Sequence, residues 1–264
     1  MKKRKIDIAL LAEVKLGTDR CRANELLSYL SSISPKALIL NGLFVSDSIS
    51  DISQLNKVHR KVLKRIQKMA QGDTVVHIVG KVNKSALHKL GITEAGGFRF
   101  SRELTLNLHG QETWILPAEQ VVVMRNIPML RYLAGIRDSL LVTFFAGGIK
   151  SLNRKVLVAK SNTTRQDKKF TDLAVARNHN VLISSLWAHE GKQWNVTRSG
   201  NCLLINSGAW SGKLTALEYA FKRWKLYRYS EDKLPAFFAD EELKHMTIRS
   251  LLSNLGRSSK AGLL

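Results

Sequence analysis

The chain predicts an α/β protein of two sheets in sequence, covered by helices, and three observations carry that expectation. Through residue 80, apolar strand patterns alternate with amphipathic helix patterns, strand, helix, strand, helix, strand. Beyond residue 97 the segments shorten and gain turn residues, as in "GFRFSRELTLNLHGQETWILPA". From residue 180, four more apolar segments follow one another at short intervals, which reads as a second sheet. The 264 residues are enough to bury a sizeable core.

Element by element, "KIDIALLAEV" is strand one. Asp7 and Glu13 bracket its short apolar run, and no small-residue cleavage site follows, so the basic start "MKKRK" reads as the approach to a buried strand rather than a leader. "RANELLSYLSSI" places Leu26, Leu27, Leu30 and Ile33 at helical spacing. "KALILNGLFV" is strand two, ending at the Asn41-Gly42 turn. "LNKVHRKVLKRIQKMA" is an amphipathic helix with Leu55, Val58, Val62, Ile66 and Met69 on one side. Its other side carries Lys57, Arg60, Lys61, Lys64, Arg65 and Lys68 with no acid among them, and Gly72 ends it. "TVVHIVG" is strand three, and His109-Gly110 is a tight turn between later short strands. The stretch from 121 to 155 reads as helix broken at Pro128 and Gly147-Gly148. "NVLISSLW", "NCLLINSGAW", "LTALEYA" and "WKLYRYS" are strands of the second sheet, and residues 233–264 form an extension with a short helix and a loose tail.

Lys and Arg number 42 against 21 Asp and Glu, a formal net charge of +21. That surplus predicts an anionic partner: a membrane surface or lipid precursor, nucleic acid, or an acidic protein. The longest charge-free apolar run, "SLLVTFFAGGI", falls short of the roughly 20 residues that span a bilayer, so no integral membrane segment is expected. Two cysteines cannot build a disulfide framework or a four-thiolate site, which fits a reducing, cytoplasmic setting, with peripheral attachment to the inner membrane as a variant. Oligomeric state is not legible.

Ligands in sheets of this kind sit beyond the carboxyl ends of strands. The turns that matter are those at Glu13, Gly42, Gly80, Pro117, Ser184 and Gly208. From about Ile6 to Asp232, and above all over "LGTDRCRANELLSYLSSISPKALILNG" and "LINSGAWSGKLTALEYAFKRWKLYRYSED", the chain resembles the calcineurin-like metallophosphoesterases. Within them it is similar to the UDP-2,3-diacylglucosamine pyrophosphatases of lipid A synthesis in their Bacteroidetes-type form. The resemblance implies a four-layer αββα sandwich. It also implies a helical insertion over about 121–170, forming a cap on one domain spanning 1–232. The family would hold two manganese ions in a cluster of Asp, His and Asn at six strand ends.

The positions that match those ligands are altered. Glu13 and Lys15 stand in the first motif, Leu43 follows Gly42 in the second, and Lys81, Val82 and Asn83 follow Gly80 in the third. Pro117 and Glu119 occupy the fourth, Ser185 and Trp187 the fifth, and Ala209 the sixth. Leu43, Val82, Pro117 and Trp187 have no donor for a hard or borderline metal. No metal or other cofactor is therefore expected. Lys15 and Lys81 face two alternatives: ammonium groups paired with Glu13 and Glu119 in place of metal charge, or lysines that snorkel to water from a collapsed pocket. No histidine forms a recognisable metal motif, and His189-Glu190 is the only local candidate.

The basic helix is either a solvated outer face or a surface for phosphate groups; it carries no aromatic for base stacking. The insertion is either an interfacial helix or a packed cap. The functional expectation is thus a pseudoenzyme, not an enzyme, with a binding or regulatory role towards an anionic partner. The alternatives are an active UDP-2,3-diacylglucosamine pyrophosphatase-like phosphoesterase with an altered site, using Glu13, Glu119, Asn83 and the lysines, and a nucleic-acid-binding module.

Overall fold

The computed structural model describes residues 3–121, 172–185, 196–199 and 202–229. Strands β1 (Arg4–Ala12), β2 (Ile33–Asn41), β3 (Val75–Val79) and β4 (Phe98–Ser101) run parallel, with α1 (Ala23–Ser32), α2 (Lys57–Ala70) and the short α3 (Lys84–Lys89) between them. The chain then crosses to β5 (Leu104–Leu108), β6 (Gln111–Leu116), β7 (Val181–Ser184), β8 (Val196–Ser199) and β9 (Cys202–Asn206). A short α4 (Trp210–Lys213) leads to β10 (Thr215–Ala220) and β11 (Arg223–Arg228). The first sheet has the order β11-β10-β1-β2-β3-β4 and the second β5-β6-β7-β9-β8.

The period of two along each strand sorts the core into layers. Leu38 and Leu40 of β2 face outward to Leu26 and Leu30 of α1 and to Val62, Leu63 and Ile66 of α2. Ile39 points the other way, with Ile8, Leu10 and Val79, against Ile115, Ile183 and Ile205 of the second sheet. On the far side, Trp114, Leu116, Leu182 and Leu204 meet Leu173 and Ala174 from a helical turn at 172–176. Helix, sheet, sheet and helix therefore stack as the predicted αββα sandwich.

Helix α2 forms where the apolar stripe demands it. Asn56 caps it by accepting from the His59 amide at 2.9 Å, an arrangement worth about 1 kcal/mol. The stripe Val62, Leu63, Ile66 and Met69 is buried, while Lys57, Arg60, Lys61, Lys64 and Lys68 are exposed.

One expectation about the sheets is corrected. "LTALEYA" and "WKLYRYS" do not extend the second sheet; as β10 and β11 they return to the first. Strand β10 pairs antiparallel with β1, Ile8 opposite Tyr219. Without it β1 would be an edge, although its last five residues are buried. A polar contact fixes the return: Arg4 donates twice to Glu218, each at 3.0 Å, and Tyr29 Oη donates to the same carboxylate at 3.0 Å. Glu218 is alone among apolar neighbours in "LTALEYA", so its distant partner was not visible in the segment.

The helical insertion at about 121–170, apart from its first residue Val121, lies outside the described residues. So do Trp187, the His189-Glu190 pair and the extension at 233–264.

Candidate functional site

The carboxyl ends of β1, β2, β3, β6, β7 and β9 converge at one end of the sandwich. β1 and β2 end in register, Ala12 opposite Asn41, and Val79 of β3 lies beside Asn41. In the second sheet Leu116, Ser184 and Asn206 align across β6, β7 and β9. Asn41 joins the sheets by donating from Nδ2 to the Leu116 carbonyl at 3.1 Å. The Ser211 amide closes the ring by donating to the Glu13 carbonyl at 3.3 Å. The six turns singled out in the sequence are thus the rim of one crevice.

Glu13 and Lys15 both lie in the left-handed region, with φ of 52° and 57°. This is uncommon for residues with side chains and is held here by the neighbouring strand. The Glu13 amide donates to Asn41 O at 3.0 Å and the Lys15 amide to Leu43 O at 2.9 Å. The kink turns the Glu13 side chain inward. Its Oε1 accepts from the Leu43 amide at 3.4 Å and its Oε2 lies 3.6 Å from Lys15 Nζ. The two side chains retain only 10% and 14% of their surface, so this is a buried ion pair. Burial raises the Glu13 carboxyl above its ordinary proton affinity, and the opposing pull of Lys15 does not cancel it.

Glu119 reaches the same point from the other sheet, on a helical turn whose first carbonyl, Pro117 O, accepts from Gln120 and Val121. Its Oε1 accepts from the Lys81 amide at 2.7 Å. Burial is again the main cause of a raised carboxyl pKa, and the negative charges of Glu13 and Asp47 add to it. Two glycines make room for the two carboxylates. A Cβ on Gly42 would collide with Glu13 Oε1, and one on Gly80 would lie 2.9 Å from Glu119 Oε1 and 3.5 Å from Gly42 Cα. Beside them opens a shallow depression edged by Leu43, Asp47, Lys81, Val82 and Asn83.

The other expected positions divide. Ser185 is buried at the end of β7, and with Asn41 Oδ1 and Ser184 Oγ its hydroxyl has no hydrogen-bond partner among the described residues. Asn83 caps α3, its Oδ1 accepting from Ala86 N at 3.2 Å. Ala209 is buried at the start of α4, below the rim. The pairing of both lysines with both glutamates is corrected: Lys15 pairs with Glu13, but the exposed Lys81 meets Glu119 only through its backbone N–H, with no ion pair among the described residues. Arg65 is also corrected. It leaves the basic face, and its guanidinium donates to the Leu30 carbonyl at 3.2 and 2.9 Å. Asn41 and Asp47 were missed as site residues; Asn41 carried only the signal of a turn, and Asp47 lies in a polar loop with no motif around it.

A pair of divalent cations needs a cluster of imidazole, carboxylate and amide donors. Among the described residues no group of three or more His, Cys, Asp or Glu comes together to hold a metal. Leu43, Val82 and Pro117 contribute only apolar side chains to this rim, and an ammonium already sits against Glu13. These residues do not fit a two-metal centre.

The chain is thus a sandwich of two mixed sheets between helices, with its crevice at the carboxyl ends of the parallel strands. Solved structures similar to it include one described as a novel archaeal phosphodiesterase, 12% identical, covering 84% of this chain and 98% of that one with a TM-score of 0.42. Another is a protein of Thermus thermophilus, 9% identical, covering 85% of this chain and 99% of that one with a TM-score of 0.43. No family model and no curated protein matches the chain. The expectation that the chain is not an enzyme is overturned here. The finding set against it is that one of the similar solved structures is described as a phosphodiesterase.

Proposed function

We propose that the chain cleaves a phosphate ester in this crevice, with Glu13 and Glu119 exchanging protons and Lys15 holding phosphoryl charge, and without a divalent cation. The observation that carries the reading is a pair of carboxyls at the strand ends, Glu13 buried and Glu119 half-buried, both raised in proton affinity by burial, with the charge of Glu13 adding to Glu119. The reading assigns the carboxylate role to Glu13, which faces the Lys15 ammonium at 3.6 Å, and the acid role to Glu119. The ionised one takes a proton from water as it attacks phosphorus. The protonated one gives its proton to the leaving oxygen as the phosphorus–oxygen bond breaks. An ammonium in a site of low dielectric stabilises the added negative charge on the phosphoryl oxygens. The resemblance carried by "NSGAW" and "LTALEY" makes a pyrophosphate-linked UDP-sugar lipid the first specific substrate to assay, beside a generic phosphodiester.

The test is turnover of both substrates by the purified chain, with chelator and with added manganese, for the wild type and Glu119→Gln. General acid–base catalysis contributes roughly 10²–10⁴-fold, so Glu119→Gln should lose at least ~10²-fold in kcat while the wild type keeps its rate in chelator. Absence of turnover under every condition, or turnover only with manganese, would overturn the proposal.

A further inference from the structure

The outer face of α2 stands apart from the crevice and carries a different kind of information. Lys57, Arg60, Lys61, Lys64 and Lys68 form one exposed stripe at spacings of three and four residues. At 1.5 Å per residue it runs about 16 Å along the helix. None of the five has an ion pair among the described residues. A merely solvated helix face usually mixes signs. The acids nearest in sequence, Asp51 and Asp73, lie beyond the two ends of the helix, and Asp51 is engaged by the Ser53 amide at 2.8 Å. Lys3 adds to the same field: its amine is pushed down first by burial and then by the charges of Arg65 and Lys68.

We propose that this stripe docks the sugar-phosphate backbone of a nucleic-acid duplex, independently of sequence. A row of fixed cations complements a row of fixed phosphates, and no aromatic is needed where bases are not read. A bilayer is the weaker match. Helices that lie in a membrane interface insert an apolar face, and the apolar face of α2 is spent inside the core, with Val62, Leu63 and Ile66 fully buried. With five phosphate contacts, log K should fall against log salt with a slope of about −4.5.

A protein of net charge +21 binds polyanions weakly wherever its charge lies, so the test must separate place from amount. Lys57→Gln/Lys61→Gln/Lys64→Gln removes three charges from the stripe. Lys222→Gln/Arg223→Gln/Lys225→Gln removes three from the β10–β11 hairpin at the edge of the first sheet. Each full-length chain is titrated into a labelled 20-base-pair duplex by fluorescence anisotropy over a salt series, with thermal melts to establish folding. The stripe variant should bind on the order of 10²-fold more weakly at 0.1 M salt, with its slope reduced to about −1.8. The hairpin variant should stay within about threefold of wild type, since its cations make no phosphate contact under the proposal. Equal losses in the two variants, or no duplex binding by the wild type, would overturn the proposal. So would α2-dependent binding to phosphatidylglycerol vesicles in place of duplex.

Discussion

The Glu13–Lys15 pair can be dissected by a double-mutant cycle. At 3.6 Å and an effective dielectric constant near 20, the Coulomb attraction is ~4–5 kcal/mol. Yet the Glu13 carboxyl remains raised, because burial outweighs the pull of Lys15. The pair therefore does not recover its own desolvation, and removing both charges should cost far less than removing one. Lys15→Met leaves a buried carboxylate without a counter-ion and should cost about 3 kcal/mol at pH 8. Glu13→Gln leaves the ammonium and should cost about 1–2 kcal/mol, and the double variant should lie within about 1 kcal/mol of wild type. The pH dependence has a definite sign. A carboxyl with a raised folded-state pKa holds its proton longer in the folded chain, so its contribution to stability falls as pH rises from the ordinary carboxyl range through the raised value. Lys15→Met raises Glu13 further and steepens that fall, so its cost should shrink to about 1 kcal/mol at pH 5. Urea denaturation followed by circular dichroism at pH 5 and pH 8 measures all of this. Additive single effects, or a Lys15→Met cost that does not change with pH, would refute the buried-pair account.

Two further substitutions test the frame. Gly42 and Gly110 share a φ of +80°, but only Gly42 has a carboxylate where a Cβ would go, while Gly110 faces open space. Gly110→Ala should cost about 1 kcal/mol from the backbone alone, and Gly42→Ala about 2–3 kcal/mol more, as read from urea midpoints. Arg4→Met leaves Glu218, only 6% exposed, with the Tyr29 hydroxyl as its remaining strong partner, and should destabilise by roughly 3 kcal/mol at pH 7.

Much of the fold was legible because its strands end in marked turns. Asn41-Gly42, Gly80, Pro117 and Asn206-Ser207-Gly208 each punctuate an apolar run, and all of them lie on the rim of the crevice. The side-chain directions were less legible. Arg65 looks like one more cation of the α2 stripe, yet it turns towards the end of α1, whose last turn carries no basic residue of its own. Its guanidinium serves one of the carbonyls that a helix end leaves without a partner, a need set by packing and not by spacing. Lys81 looked equivalent to Lys15 because each follows a strand end. The difference is backbone: the left-handed turn at Glu13 and Lys15 brings amine and carboxylate together, whereas Glu119 takes the Lys81 amide and leaves its ammonium exposed. The return of β10 to the first sheet depends on Arg4 and Tyr29 recognising Glu218 across the chain, which no local pattern encodes.

The glycines at the rim suggest a test that separates reach from charge. Gly80 has no side chain, and the space a Cβ would fill holds Glu119 Oε1, which comes from the opposite sheet to accept the Lys81 amide at 2.7 Å. That seat needs the full length of a glutamate. Glu119→Asp keeps the charge but withdraws it by one methylene, about 1.5 Å. The freed Lys81 amide is at an exposed position and can turn to water, so stability should change by less than about 1 kcal/mol. Turnover, by contrast, should fall by about tenfold or more, because a proton donor acts only within hydrogen-bond reach of the leaving oxygen. Glu119→Gln keeps the reach and loses the proton chemistry, so its defect should be larger. If Glu119→Asp retains full turnover, the position of this carboxyl against Gly80 is not what the crevice uses.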